Sequence, residues 1–273
     1  MEKKRILFVT QEIQPFLPKS EISTTARRLP PGIQESGKEI RVFTPKFGSI
    51  NERRHQLHEV IRLSGMNLII NDADHPLIIK VASVSAARMQ VYFIDNEEYF
   101  KRKNTVTDEK GEFHQDNDER SMFFCRGVLE TVKKLGWQPD VIHCHGWMSG
   151  LMSLYVKQLY NKDPHFSNTK VVYSVYNDGF NKNWDAKFPE KLKFDGFSDE
   201  VVEELKDTSF ENVSKVMMKY ADGLNVASEN LDPTLQSLVD EQTCLKQEYV
   251  AEENQTKVMS EFFDKVIEEE ILI

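Results

Sequence analysis

The chain has 273 residues, 40% of them hydrophobic and 29% charged, with a net charge of −9. That composition fits a soluble globular protein with a real core, and an acidic balance without any Lys/Arg block argues against a nucleic-acid footprint. No apolar stretch reaches membrane-spanning length, the run after MEKKR is too short for a secretory signal core, and three scattered cysteines (Cys125, Cys144, Cys244) predict free thiols and a cytoplasmic location.

In chain order, strand-length apolar runs occur at Arg5–Thr10, Ile40–Thr44, Leu77–Val84, Gln90–Asp95, Asp140–Cys144, Lys170–Val175 and Gly223–Ala227. They are rich in β-branched and aromatic residues and mostly non-alternating, as strands buried on both faces are. Helix-length stretches separate several of them. In Asp118–Leu135 the residues Phe124, Val128, Val132 and Leu135 recur at helical spacing. Strand–helix repetition predicts an α/β fold with a single Rossmann-like, doubly wound parallel sheet. Pro30-Pro31-Gly32 predicts a kink or an early end in the first helix, because prolines remove backbone donors from a helix interior. Lys101–Asp118 reads as a polar, mobile loop and Phe180–Lys206 as a loop with one short helix. From Thr243 to Ile273 the chain reads as one or two acidic amphipathic helices, with Val258, Met259, Phe262, Phe263, Val266 and Ile267 on the apolar stripe. The expected division is a domain over residues 1–240 and a helical tail over 241–273 that packs on it.

Six segments together resemble the bacterial glycogen synthase and plant starch synthase family. They are ILFVTQEIQPFLPKS, VFTPKFGSI, VYFIDNEEYF, PDVIHCHGWMSGLMSLYVK, VVYSVYNDGF and VMMKYADGLNVAS, in the family's order over roughly residues 4 to 235. The resemblance implies the N-terminal, acceptor-side half of the two-Rossmann GT-B fold. It also implies the family reaction, transfer of glucose from ADP-glucose to an α-1,4-glucan. A second, donor-binding Rossmann domain would need roughly 200 further residues, and about forty follow Asp232.

The resemblance nominates Lys19, His145, Trp147, Tyr176 and Asn177 as substrate-binding positions, and each sits in an altered context. Where the family has Lys-x-Gly-Gly, whose glycines let backbone approach the donor phosphates, this chain has Lys19-Ser20-Glu21-Ile22, with a carboxylate in the phosphate's path. Where the family has His-x-His-Asp-Trp-His, this chain has His143-Cys144-His145-Gly146-Trp147-Met148. A thioether therefore replaces the histidine that the family places near the sugar. Tyr176 takes the place of the histidine preceding Asn177. His145 also reads as a structural histidine bonded to backbone, and Tyr176 as an aromatic plugging the sheet's edge. His143 and His145 share a face, but two ligands do not make a zinc site. No catalytic residue, metal or cofactor is assigned, and there is no nucleophile elbow, Walker motif or dinucleotide fingerprint.

The expected function is that of a glycogen/starch synthase relative inactive alone, whose ligands are an α-glucan or a nucleotide sugar and whose partner is a protein supplying a donor domain. The alternative is a non-catalytic module. Such a module either binds glucan through Trp147, Tyr176 and exposed aromatics in Phe180–Phe197, or acts as a regulator or scaffold with its cleft filled by the C-terminal helix.

Overall fold

The computed structural model describes residues 3–269. Its elements in order are β1 (Arg5–Thr10), α1 (Glu21–Glu35), β2 (Glu39–Pro45), α2 (Glu52–His55), β3 (His58–Glu59), β4 (Met66–Ile70), β5 (Ala73–Val84), β6 (Met89–Asp95), α3 (Glu97–Phe100) and α4 (Asn117–Lys134). There follow β7 (Val141–His145), α5 (Trp147–Gln158), β8 (Lys170–Val175), α6 (Phe188–Asp195), α7 (Asp199–Glu204), α8 (Phe210–Lys219), β9 (Gly223–Val226), α9 (Pro233–Glu241), β10 (Leu245–Gln247) and α10 (Glu252–Glu268). The strands form one sheet in the order β10-β9-β8-β7-β1-β2-β6-β5-β3, with β4 paired to β5.

Pairing is parallel from β10 to β6, while β5 runs antiparallel to β3, β4 and β6. From β1 the chain steps by way of α1 to β2. From β7 it steps the opposite way, by way of α5, to β8. Right-handed crossovers of opposite direction put the two helices on opposite faces, which is the doubly wound arrangement. The reversal lies between β1 and β7, so the loops leaving their carboxyl ends diverge and open a crevice there.

Four details differ from the sequence expectations. First, α1 runs through Pro30 and Pro31 to Glu35 and does not end early. Ile22, Ala26, Leu29 and Ile33 bury one continuous face, which offsets the donors lost at the prolines. Gly32 is the point of close approach to α10, where an added Cβ would lie 2.5 Å from the Thr256 hydroxyl. Second, the segment after Lys101 is pinned. Arg102 pairs with Asp116, and the fully buried Arg120 donates to the carbonyls of Tyr99 and Thr105, each at 2.7 Å. Third, Phe180–Lys206 carries two helices, α6 and α7. Lys191 on α6 reaches inward to Asp118 at 2.7 Å, an ion pair buried on both sides. Fourth, the tail begins with a strand, β10, that extends the parallel sheet, and only then becomes α10. Residues 270–273 of the expected tail lie outside the described residues.

α10 returns across the sheet to pack on α1, with Met259, Phe262, Phe263 and Val266 buried and Val258 and Ile267 half-buried. Phe263 meets Phe8 of β1 edge-on at 6.3 Å and His143 of β7 at 5.2 Å. Lys38, almost fully buried, holds the far end of the helix through Asp264 at 2.9 Å.

Candidate functional site

The crevice at the carboxyl ends of β1, β7 and β8 holds a cavity of about 550 Å³. Gln11, Glu12, Ser20, Glu21 and Ile22 from the β1–α1 loop form one wall, and Trp147 and Tyr176 to Lys182 form another. The segment before α4, from Val106 to Phe113, closes a third side. Phe113 stacks on Phe180 with centroids 4.9 Å apart, Trp147 meets Phe180 edge-on at 5.2 Å, and Lys182 pairs with Glu112 across the mouth.

Three of the five expected positions meet here: Trp147, Tyr176 and Asn177 all line the cavity. Asn177 is exposed, while its side chain holds the Asn230 carbonyl at 2.8 Å and accepts from the Asp232 N–H. Lys19 stands elsewhere, exposed beside a neighbouring 470 Å³ cavity that it shares with Arg28, Tyr249 and Gln255. His145 is fully buried at the end of β7 and is not among the residues that line this cavity.

Its bonds run to side chains and not to backbone, correcting that expectation. Nδ1 of His145 lies 2.8 Å from the Tyr176 hydroxyl and Nε2 lies 3.2 Å from Nδ1 of His143. His143 Nε2 in turn meets the Ser174 hydroxyl at 2.7 Å, which accepts from the Asn225 amide at 2.9 Å. The result is a single buried file from β9 through β8 and β7 to the cavity wall at Tyr176. With both imidazoles neutral, the single proton shared between His145 Nε2 and His143 Nδ1 requires the two rings to take the same tautomer, so their tautomers are coupled. Burial holds them neutral, with the His145 pKa lowered to about 3 and that of His143 well below its usual value. Among the described residues no group of three or more His, Cys, Asp or Glu side chains is placed to hold a metal ion.

The two helix N-termini that open toward the crevice would ordinarily offer N–H groups to an anion. At each, the chain's own oxygens take up first-turn N–H groups, two in α5 and one in α1. In α5, the N–H of Trp147 donates to Asp178 Oδ2 at 2.8 Å and that of Met148 to Gln11 Oε1 at 3.1 Å. Gly146 makes this possible. It has φ +84°, and a Cβ there would stand 2.3 Å from the Gln11 amide carbon, so an aspartate at this position would displace Gln11. In α1, Ser20 and Ser23 cap one another reciprocally at 2.9 and 2.8 Å, and the Ser20 hydroxyl also donates to Glu12. Glu21 turns to accept from Ser228 at 2.6 Å. Burial, reinforced by Glu12 and Glu21, raises the Asp178 pKa to about 7 against the pull of the Trp147 N–H.

The cavity wall therefore carries the carboxyl groups of Glu12, Glu21, Glu112 and Asp178 against one lysine, Lys182. Gln11, Glu12 and Asp178 were not singled out from the sequence, although each lies within three residues of a strand end at the crevice, the signal that would have found them. Of the aromatics expected to be exposed between Phe180 and Phe197, Phe194 is exposed but lies outside this cavity and Phe180 lines it, whereas Trp184, Phe188 and Phe197 are buried. No residue of α10 lines this cavity, so the C-terminal helix does not fill it.

Comparison with known proteins places this architecture. Residues 5–242 match the family described as the starch synthase catalytic domain. Glycogen synthase of Chlorobium limicola is 40% identical over 174 residues, 63% of this chain and 36% of that protein. Glycogen synthase of Chlorobaculum tepidum is 37% identical over 202 residues, 70% of this chain and 41% of that protein. The catalytic domain of starch synthase IV from Arabidopsis thaliana, bound to ADP and acarbose, superposes on 97% of this chain and 50% of its own with a TM-score of 0.66 at 17% identity, a likeness of fold. The chain spans about two fifths of the length of the curated relatives it matches. With the sheet order, the switch-point crevice and this match over most of its length, the chain belongs to the glycogen/starch synthase family, by its starch synthase catalytic domain.

Proposed function

We propose that this domain binds an α-glucan in the switch-point crevice and that these residues do not, on their own, transfer glucose from ADP-glucose. The observation that carries this reading is the occupation of the first two N–H groups of α5 by Asp178 and Gln11. A diphosphate entering the crevice would have to displace both oxygens and approach Glu12, Glu21 and Glu112. At about 5 Å and an effective dielectric of about 20, each unit of like charge costs about 3 kcal/mol. A neutral sugar meets no such barrier. Phe113 and Phe180, half-buried where Trp147 and Tyr176 are buried, offer ring surface, and the carboxylates with Asn177 and Asn181 offer partners for hydroxyl groups. The Arabidopsis relative, solved with ADP and acarbose, shares the fold that frames this crevice. In this reading donor chemistry comes from residues outside these 273, on whichever polypeptide carries them.

Two measurements test the proposal. In native gels cast with glycogen the chain should be retarded, and calorimetric titration with ADP-glucose should give no saturable heat. Unretarded migration would remove glucan binding and leave a regulatory or scaffold role, while transfer of labelled glucose to glycogen by the isolated chain would overturn the assignment as non-catalytic.

A further inference from the structure

The second half of α1 carries a different feature. Arg27, Arg28, Pro31, Gln34 and Glu35 occupy adjoining positions on one side of the helix. With Ala87 and Arg88 from the turn between β5 and β6 they line a groove of about 740 Å³. At 1.5 Å per residue Arg27 lies about 9 Å along the helix from Glu21, beyond the reach of the crevice.

Three arginines, Arg27, Arg28 and Arg88, line this groove in a chain whose net charge is −9. Arg28 is already committed, since it pairs with Glu252 and donates to Gln255 at 2.6 Å. The side chains of Arg27 and Arg88 make no hydrogen bond or ion pair among the described residues, and Glu35 is the one carboxylate on the groove's wall. Several cations elsewhere are matched in ion pairs, while Arg53, Arg54 and Arg62 also have no side-chain partner among the described residues. Lys46 and Lys80 share Glu52, Lys133 pairs with Asp163, and Arg126 pairs with Asp195. A dianion placed between Arg27 and Arg88 would offset the mutual repulsion of these two charges. The planar five-donor fork of arginine suits the oxygens of a phosphate, which can bridge two such groups.

We propose that the groove binds the phosphoryl dianion of a small ligand between Arg27 and Arg88, with Arg28 alongside. This site is independent of the glucan reading. Its ligand is a phosphate monoester or free inorganic phosphate, which present the same three oxygens.

The full chain would be titrated calorimetrically at low ionic strength with inorganic phosphate and, separately, with glycerol phosphate. Saturable binding is expected. Tighter binding of glycerol phosphate would identify an ester as the ligand, and equal binding would identify free phosphate. Losing charged hydrogen bonds to one arginine weakens binding by about 10-fold or more, so an Arg27→Ala/Arg88→Ala variant should lose about 100-fold, enough to abolish a millimolar affinity. Arg27→Lys/Arg88→Lys keeps the charge but not the fork and should fall between. Lys19→Ala should bind as the parent does, since Lys19 lines a different cavity. The proposal is overturned by no saturable binding up to about 10 mM, by unchanged affinity in the alanine double variant, or by loss in Lys19→Ala.

Discussion

Acid should destabilise this fold through the buried pair His143 and His145. Both imidazoles are held neutral by burial in the native state, with His145 titrating at about 3 and His143 well below its usual 6.5. The unfolded chain takes up these protons at ordinary pKa values while the native chain does not. Their contribution is therefore intact above about pH 6.5 and is lost as the pH falls below it. At about pH 5.5 one such histidine costs about 1.4 kcal/mol and the pair about 3 kcal/mol, against a total stability of about 5–15 kcal/mol for typical domains. Asp178 and Asp118 act in the opposite sense. Burial raises them to about 7 and about 6, so the native state gains protons first and is stabilised as the pH falls through those values. The raw stability curve therefore mixes both signs, and a difference measurement separates them. Urea unfolding of the parent and of His143→Gln/His145→Gln would be followed by tryptophan fluorescence at about pH 7.5 and about pH 5.5. The parent's advantage over the double variant should shrink by about 3 kcal/mol between the two, and by about 1.4 kcal/mol for either single variant. A constant difference would refute the neutral, buried pair.

Phe263→Ala should lower stability by about 3–5 kcal/mol in the same urea assay, because the ring is fully buried over Phe8 and His143. Truncation after Asp240, which removes β10 as well as α10, should lower the melting temperature further, and an unchanged melt would contradict the packing. Gly146→Asp should cost about 1–3 kcal/mol from its positive φ alone, and Gly146→Asp/Gln11→Ala should recover the part due to the clash with Gln11. Asp178→Asn should be more stable than the parent above about pH 7, where the parent's carboxylate is held charged in a half-buried site beside Glu12 and Glu21, with the gap closing as the pH falls.

Much of the architecture was legible in the chain because its signals are local. RILFVT, VIHCH and KVVYSV announce strands buried on both faces, and period-2 geometry puts His143 and His145 on one side of β7. Six short segments in a fixed order carried the family, and residue identity alone put a carboxylate at Glu21 and a thioether at Met148. Other features depend on where distant segments meet. The three-residue β10 has no pattern of its own and is a strand because β9 offers it an edge. α1 survives two prolines because burial against sheet and α10 outweighs the lost backbone bonds. The partner of the His145 Nδ1 is Tyr176, 31 residues away, which meets it at the cavity wall. The closing of the α5 N-terminus needed Gln11 and Asp178 to arrive from opposite sides of Trp147, 137 residues from Met148 in one case and 31 from Trp147 in the other. Hydrogen bonds of that span follow from the folding of the sheet, so no window of sequence contains them.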